Sequence, residues 1–201
     1  LELNKGKLIS EEEMVKVNPT AENYLSLSLL YFNREEYSKC IEACENALKL
    51  NPNYAEAYNN ICAAYNAMGE WNKAIYAGEQ ALKLKGDYQL AMNNYKLAKS
   101  SKLEEDSIMK IKTPESYISL SLFYYNRGLY DKCIEACQNA LNLKPNYAEA
   151  YNNMCSAYNA KGDYKNAIKA CEKALLIKPD FQLAKNNLEY AKKMNITKTI
   201  K

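Results

Sequence analysis

The chain has 201 residues, a formal net charge of +3, and a hydrophobic fraction of 48%. Lysines and acids are interspersed, so there is no basic stripe of the kind that nucleic-acid binders carry, and nucleic acid is excluded as the expected partner. No apolar run approaches the roughly 18–20 residues of a membrane span, so no membrane partner is expected either.

The scarcity of helix breakers favours an all-α protein. Only 6 glycines and 5 prolines interrupt the sequence, and long stretches contain neither. The chain also has 7 cysteines and no histidine. Because an odd number of cysteines is typical of reduced thiols in a reducing compartment, we expect seven free thiols and a cytoplasmic location.

The first 19 residues form a lead-in segment without the apolar stretch of a signal peptide. The chain does not begin with Met, so we expect a fragment of a longer protein. The stretch LISEEEMVKVNPT in this segment resembles SKLEEDSIMKIKTP, which precedes residue 115. This similarity suggests that the duplication described next once extended further upstream.

Two periods organise the rest of the chain. The first is 34 residues: Tyr24, Tyr31 and Tyr37 recur as Tyr58, Tyr65 and Trp71. The second is 93 residues, at which about 49 of 77 positions are identical between residues 24–100 and 117–193. The chain is therefore a duplication of a segment that was already a repeat.

One 34-residue unit shows the expected local structure. Tyr58, Ile61, Cys62 and Tyr65 have the spacing i, i+3, i+4, i+7, which predicts the apolar stripe of a first helix. A break at residues 68–70 precedes a second apolar stripe, and Pro follows the second helix in other units. Each unit is predicted to be a helical hairpin that buries its stripe against its neighbours.

The small, aromatic and proline residues of these units resemble the pattern of the tetratricopeptide repeat. The matching residues are Tyr24, Leu27, Ser28, Tyr31, Cys40, Cys44, Ala47 and Pro52; Tyr58, Ile61, Cys62, Tyr65, Ala74, Gly78, Ala81 and Gly86; Tyr117, Leu120, Ser121, Tyr124, Cys133, Cys137, Ala140 and Pro145; and Tyr151, Met154, Cys155, Tyr158, Ala167, Cys171, Ala174 and Pro179. Cys or Gly replaces the usual aromatic of the second helix, and Gly86 replaces a Pro. The resemblance implies a right-handed superhelical array of antiparallel hairpins.

The domain boundaries follow from the two copies. Residues 20–102 and 113–201 are predicted to be two modules, each of two repeats and a polar capping helix. Thr113 and Pro114 are a helix start signal, with Thr as N-cap and Pro at the first helical position. Residues 103–112 are either a linker or a truncated helix that continues one superhelix.

The sequence NYAEAYNN, present at both 53–60 and 146–153, supplies the main functional clue. Its asparagines are predicted to lie on the helix face opposite the core stripe, which tetratricopeptide arrays turn toward a concave groove. A carboxamide offers a donor and an acceptor, and so matches the backbone of an extended peptide. The predicted peptide-binding groove consists of Leu25, Leu29, Phe32, Asn59, Asn60, Asn66, Asn93, Asn94, Ile118, Leu122, Tyr125, Asn152, Asn153, Asn159, Asn186 and Asn187.

The groove is similar to the asparagine ladder in the repeat domain of the transferase that attaches N-acetylglucosamine to proteins. The alternative for Asn60 and Asn153 is a framework role, in which each amide bonds to a neighbouring helix. The apolar groove positions, such as Leu29 and Leu122, also have two candidate partners. They either contact a binding partner or are covered by Val15, Val17, Ile108, Met109 and Ile111 of the same chain.

Other chemistry is less well supported by the sequence. Cys40 and Cys44 share a helix face, but they coincide with the small packing positions of the repeat, so buried packing is favoured over metal or redox chemistry. Without histidine no Ser-His-Asp or Cys-His arrangement is possible, and we expect no cofactor and no enzymatic activity. The co-chaperone type of groove, which grips acidic tails with Lys and Arg, is disfavoured by Glu22, Glu56, Glu115 and Glu149.

The sequence therefore predicts a non-enzymatic scaffold that binds extended protein or peptide segments. One alternative is a docking or regulatory arm of a larger enzyme whose catalytic domain lies outside this sequence. Another is a self-assembling structural array.

Overall fold

The computed structural model describes the backbone of residues 2–199 and the side chains of residues 10–197. Within these ranges all regular secondary structure is α-helical, as expected, and the protein forms two compact units that divide between residues 103 and 104. Among the described residues, no helix combines the length and the hydropathy that crossing a bilayer requires.

The helices follow one another as consecutive hairpins. Unit 1 contains α1 (Glu2–Val17), α2 (Ala21–Asn33), α3 (Tyr37–Leu50), α4 (Ala55–Ala67), α5 (Trp71–Leu84) and most of α6 (Gln89–Ile108). Unit 2 contains the last residues of α6, then α7 (Pro114–Tyr125), α8 (Tyr130–Leu143), α9 (Ala148–Ala160), α10 (Tyr164–Ile177) and α11 (Gln182–Thr199). The hairpins are α2–α3, α4–α5, α7–α8 and α9–α10.

The helix boundaries have local causes in the sequence. Thr113 is the N-cap of α7 and forms a capping box with Ser116, with Pro114 at the first position. This start signal is confirmed. The turn between α4 and α5 places Gly69 at a φ of 68°, a left-handed conformation that glycine adopts without steric cost.

Small residues let the two helices of each hairpin approach closely. In unit 1 the residues with no exposed surface include Cys40, Cys44, Cys62, Ala47 and Ala74. Tyr24 and Tyr65 are partly buried and pack against this core, while Tyr31 is buried within it. The prediction that the repeat tyrosines and cysteines are packing residues is confirmed for these positions.

The lead-in segment is helical, which the sequence did not indicate. Its helix α1 packs against α2, where the Tyr31 hydroxyl donates to Glu12 Oε1 over 2.6 Å. Burial, reinforced by this hydrogen bond, raises the pKa of Tyr31 far above its usual range. The same contact recurs in unit 2, where Tyr124 donates to Glu105 Oε1 over 2.5 Å. The two similar sequence stretches therefore make equivalent contacts with the first repeat helix of each unit.

We expect Tyr31→Phe and Tyr124→Phe each to lower the free energy of unfolding by about 1–2 kcal/mol. Each substitution leaves a carboxylate without its hydroxyl donor, and hydrogen bonds to charged groups are among the stronger ones. Urea denaturation followed by circular dichroism measures the effect. Tyr58→Phe is the matched control, since the Tyr58 hydroxyl makes no hydrogen bond within the described part of the protein. Equal losses in all three variants would contradict the role of the two carboxylates.

The expectation of seven free thiols is wrong for one pair of cysteines. Cys155 of α9 and Cys171 of α10 form a disulfide, with a Cα–Cα distance of 5.4 Å. Cys40 and Cys44, which the sequence suggested as a pair, share one helix, whereas this bond joins facing positions of two helices in one hairpin. In unit 1 the equivalent positions hold Cys62 and Gly78, so no bond can form there. The free cysteines, all buried, are Cys40, Cys44, Cys62, Cys133 and Cys137.

Candidate functional site

The predicted groove residues lie on the first helices of the repeats and on the helix that follows them. These are α2, α4 and α6 in unit 1, and α7, α9 and α11 in unit 2. Hydrogen bonds between side chains show that these helices are neighbours. Asn60 donates to Ser28 and Asn153 to Ser121, which joins the first two helices of each set. Asn94 donates to Asn59 and Asn187 to Asn152, which joins the third helix to the second. Each unit therefore has a face built from three adjacent helices.

A cavity of about 260 Å³ lies in this face of unit 2. Its lining residues are Leu122, Tyr125, Asn152, Asn153, Ser156, Leu183 and Asn187. Five of them belong to the predicted groove, so the structure brings these five together. Of the other predicted residues of unit 2, Ile118, Asn159 and Asn186 do not line the cavity.

Ser156 and Leu183 are the lining residues that sequence reasoning missed. Ser156 differs from its unit 1 equivalent, Ala63, inside an otherwise nearly identical helix. Leu183 repeats Leu90, and both are exposed leucines at the start of a polar helix. Both features could have indicated the site from the sequence. Ser156 is a polar change between two nearly identical helices, and a leucine at the same place in both copies is unusual for a polar capping helix.

Asn60 and Asn153 hold neighbouring helices together. Asn60 Nδ2 donates to Ser28 Oγ over 3.1 Å, and Asn153 Nδ2 donates to Ser121 Oγ over 3.0 Å. Ser28 in turn donates to the carbonyl of Leu25, so the hydroxyl is used as both donor and acceptor. The framework role is therefore supported for both asparagines.

Asn66 and Asn159 are also committed to neighbouring helices. Both are only 8% exposed, and their amides donate to the backbone carbonyls of Asn94 and Asn187 over 2.9 and 3.0 Å. The Oδ1 atom of each is buried without a hydrogen-bond partner in the described part of the protein. Because their amides bond to neighbouring helices and their Oδ1 atoms are fully buried, both asparagines have a framework role.

The remaining asparagines form linked pairs or lie exposed. Asn94 Nδ2 donates to Asn59 Oδ1 over 2.9 Å, and Asn187 Nδ2 donates to Asn152 Oδ1 over 3.0 Å. Asn93 and Asn186 are exposed, and each accepts a hydrogen bond of 2.8 Å from a glutamine one turn earlier. The paired carboxamides are therefore oriented by one another rather than free to rotate.

The apolar groove positions of unit 1 are only partly covered by other residues of the protein. Leu25 and Phe32, like Val15 of α1, are partly buried and pack against the core of unit 1. Leu29 remains 48% exposed, and Val17 is exposed as well. In unit 2, Leu122 is 47% exposed, Ile108 and Met109 are half-buried, and Ile111 is exposed.

Three of the four groove glutamates have a lysine partner. Glu56 lies 3.4 Å from Lys85, Glu115 lies 3.8 Å from Lys144, and Glu149 lies 3.6 Å from Lys178. These pairs are exposed, so each contributes little stability. Their effect is to balance the negative charge at the start of the first helices.

A second cavity, of about 400 Å³, lies in unit 1 away from the predicted groove. It is bordered by α3, α4 and α5, and its walls include Tyr58, Tyr65 and Tyr76. None of the predicted groove residues lines it.

Comparison with known proteins agrees with these helical repeats. Residues 21–54, 114–147 and 148–181 each match a family model described as tetratricopeptide repeat, and together they span half of the sequence. No curated protein matches significantly.

Several solved structures are similar in fold. MamA is 25% identical, with a coverage of 88% of this chain and 89% of that one, and a TM-score of 0.40. YrrB, described as a TPR protein with an unusual peptide-binding site, is 20% identical, with 88% and 96% covered and a TM-score of 0.40. The TPR2AB domain of yeast Sti1, solved in a complex with pHSP90, is 16% identical, with 94% and 76% covered and a TM-score of 0.47. On the three family matches and the paired helices that contain them, the chain belongs to the tetratricopeptide repeat family.

Proposed function

We propose that the protein is a non-enzymatic scaffold that binds extended, uncharged peptide segments of partner proteins on the face formed by α7, α9 and α11. The corresponding face of unit 1, formed by α2, α4 and α6, is proposed to act in the same way. The observation that carries the proposal is the unit 2 cavity, which gathers Leu122, Tyr125 and three asparagines.

The cavity combines the two kinds of group that an extended peptide needs. Its apolar walls, Leu122 and Leu183, are about half exposed and gain free energy when a partner covers them. The carboxamides between them can bond to the carbonyl and N–H groups of a peptide backbone. No charged side chain lines the cavity, so a charged ligand side chain would lose its hydration there without compensation.

The test is a titration of peptides selected from a random library on the intact protein. We expect Leu122→Ser or Leu29→Ser to weaken the binding of peptides selected on the respective unit by about tenfold or more. The physical reason is that covering a leucine contributes roughly 1.5–3 kcal/mol. Leu143→Ser is the matched control, because Leu143 is 54% exposed at the end of α8, away from the cavity. Unchanged binding by both groove variants would refute the proposed surface.

The compartment is proposed from the thiols. Five cysteines are free and buried, and secreted domains of this size usually pair their cysteines, which supports the cytoplasm. The Cys155–Cys171 bond is the observation against it. Alkylation during denaturing lysis of the cells decides, because the buried thiols react only once the protein unfolds: an intact Cys155–Cys171 bond would overturn the cytoplasmic proposal, and seven alkylated cysteines would support it.

A further inference from the structure

We propose that Ser156 makes the unit 2 cavity a specific site for a peptide residue with a leucine-sized side chain. The same serine distinguishes this cavity from its unit 1 equivalent. This inference rests on the proposed function, because it names the ligand chemistry of the same groove. In this site Leu122, Tyr125 and Leu183 hold the side chain, while Asn152 and Asn187 bond to the peptide backbone. Ser156 acts through Asn187 and is a positioning residue.

The hydrogen bonds of Asn187 fix the orientation of its carboxamide. Its Nδ2 lies 3.0 Å from Asn152 Oδ1 and 3.0 Å from Ser156 Oγ. The Ser156 hydroxyl in turn donates to the backbone carbonyl of Asn152 over 3.2 Å. A carboxamide has two N–H donors, so both donors of Asn187 are used within the protein. The Oδ1 atom is the hydrogen-bonding atom that remains, and Asn187 can therefore offer a ligand only an acceptor.

Asn152 supplies the complementary group. Its Oδ1 accepts from Asn187, while its Nδ2 makes no hydrogen bond within the described residues. Asn152 as a whole is only 6% exposed, but its Nδ2 is not among the fully buried, unbonded side-chain atoms and so keeps some accessible surface. The linked pair thus leaves one side chain with donors and the other with an acceptor, and both line the cavity. One residue of an extended peptide directs its own N–H and C=O to the same side, which matches the acceptor of Asn187 and the donors of Asn152.

The walls of the cavity set the size and polarity of the side chain. Leu122 of α7 is 47% exposed and Leu183 of α11 is 61% exposed, and the two line the cavity together with Tyr125. The volume of about 260 Å³ is small for a complete ligand, so it suits one side chain and the peptide unit next to it. Because no charged side chain lines it, we expect Leu or Met to bind there and Glu or Lys to be rejected.

Unit 1 provides a natural comparison. At the equivalent positions it has Leu29, Phe32, Asn59, Leu90 and Asn94, so the apolar walls and the paired carboxamides are kept. Ala63 replaces Ser156, however, and Asn94 Nδ2 has Asn59 Oδ1 as its one partner among the described residues. Asn94 therefore keeps a free N–H donor and can accept or donate. Unit 1 is expected to bind peptide units with weaker discrimination between ligand donors and acceptors.

The experiment uses small probes on the intact, isotope-labelled protein. N-acetyl-leucine methylamide is titrated while the side-chain amide signals of asparagine are followed by NMR. Two further probes each lack one N–H group: N-acetyl-leucine methyl ester and N-acetyl-N-methyl-leucine methylamide. We expect the first probe to shift the Asn152 and Asn187 signals. One of its two N–H groups should donate to Asn187 Oδ1, so the probe that lacks that N–H group is expected to bind about tenfold more weakly. N-acetyl-glutamate methylamide is expected to leave these signals unchanged.

Substitutions at one position isolate the role of Ser156. Ser156→Ala is expected to free an Asn187 donor and to reduce the discrimination between the probes to about twofold or less. Ser156→Thr keeps the hydroxyl and is expected to keep the full discrimination between the probes. Ala63→Ser, which supplies the hydroxyl in unit 1, is expected to create discrimination at Asn94. A merely structural role of Ser156 would instead change the melting temperature and leave the ratio of probe affinities the same.

Several results would overturn the inference. One is equal binding of the leucine and glutamate probes, and another is full discrimination in Ser156→Ala. A third is displacement of the probes by a second copy of the protein as its concentration rises, which would make self-association the occupant. If library peptides bind the groove but the probes do not shift Asn152 and Asn187, this inference fails and the proposed function survives. If neither binds, both fail.

Discussion

Reduction of the Cys155–Cys171 bond is expected to destabilise unit 2 by about 3 kcal/mol and to leave unit 1 unchanged. The bond closes a loop with a sequence separation of 16 between α9 and α10. Restricting the unfolded state by a loop of about 15 residues stabilises the folded state by roughly 3 kcal/mol in the chain-entropy view. Each repeat contacts its neighbours, so the loss should be felt first in the hairpin α9–α10 and in α11.

The measurement compares unfolding in urea with and without a phosphine reductant. The single tryptophan, Trp71, lies in α5 and reports on unit 1, whereas hydrogen exchange followed by mass spectrometry reports on α9 and α10. Cys155→Ala with Cys171→Ala separates the bond from the packing of the sulfur atoms. Cys62→Ala is the matched control, because Cys62 occupies the equivalent position without a bond. Titration of the unfolded protein should find five reactive thiols before reduction and seven after it.

Two outcomes would contradict this expectation. Seven reactive thiols in the unreduced, unfolded protein would show that the bond is not formed. An intact bond whose reduction leaves the exchange of α9 and α10 unchanged would show that it contributes no stability.

The repeat architecture could be predicted from the sequence because its cause is local. Residues such as Tyr58, Ile61 and Cys62 recur at fixed spacings, and each spacing records which side of a helix is buried. The start of α7 could be predicted for the same reason, since Thr113 and Pro114 affect only the first turn of the helix. Burial and capping are properties of a short segment, and a single sequence contains them.

The contacts between helices could not be predicted from the sequence in the same way. Helix α1 lacks a clear apolar period. The hydrogen bond that joins it to α2 links Glu12 to Tyr31, which lies 19 residues further along the sequence. The disulfide depends on the approach of α9 to α10, which the distance along the sequence does not reveal.

The asparagines show the same limit at the candidate site. The helix period predicted Asn59 and Asn66 on the side away from Tyr58, but it could not show how close the next helix comes. In the structure that helix is near enough for Asn94 to accept a bond from Asn66 through its carbonyl and to donate one to Asn59 through its amide. Side chains that face a groove on a single helix are therefore largely used to join helices in the array.

The second large effect is expected at Gly78 of α5, where a side chain would collide with neighbouring helices. A Cβ atom at this position would lie 2.9 Å from Tyr95 Cβ, 3.3 Å from Tyr95 Cα and 3.2 Å from Cys62 Sγ. The first two contacts involve the framework of α6, which cannot rotate away as a side-chain tip can. We therefore expect Gly78→Val to lower the free energy of unfolding by about 1–3 kcal/mol, as overpacked core positions do.

Gly86→Ala is the matched control for this substitution. A Cβ atom at Gly86 would meet only the Leu82 carbonyl, at 3.8 Å, so the change is expected to be neutral or slightly stabilising. Both variants are compared by urea unfolding, with the fluorescence of Trp71 as the reporter for unit 1. A Gly78→Val variant as stable as the wild type would show that α5 and α6 can separate at no cost.

Gly78→Cys tests the same position from the opposite direction, because it recreates the residue that unit 2 carries there. Under reducing conditions the new Cβ atom crowds Tyr95, so we expect a loss of stability comparable to that of Gly78→Val. Under oxidising conditions the new thiol lies beside Cys62 Sγ, and a second disulfide between α4 and α5 is expected to offset that loss by about 3 kcal/mol. Stability of this variant should therefore depend on the redox state in unit 1, where no such dependence is expected for the wild type. Four free thiols in the oxidised variant, against five in the wild type, together with recovery of stability, would show that the two hairpins share one geometry and differ by the residue at this position.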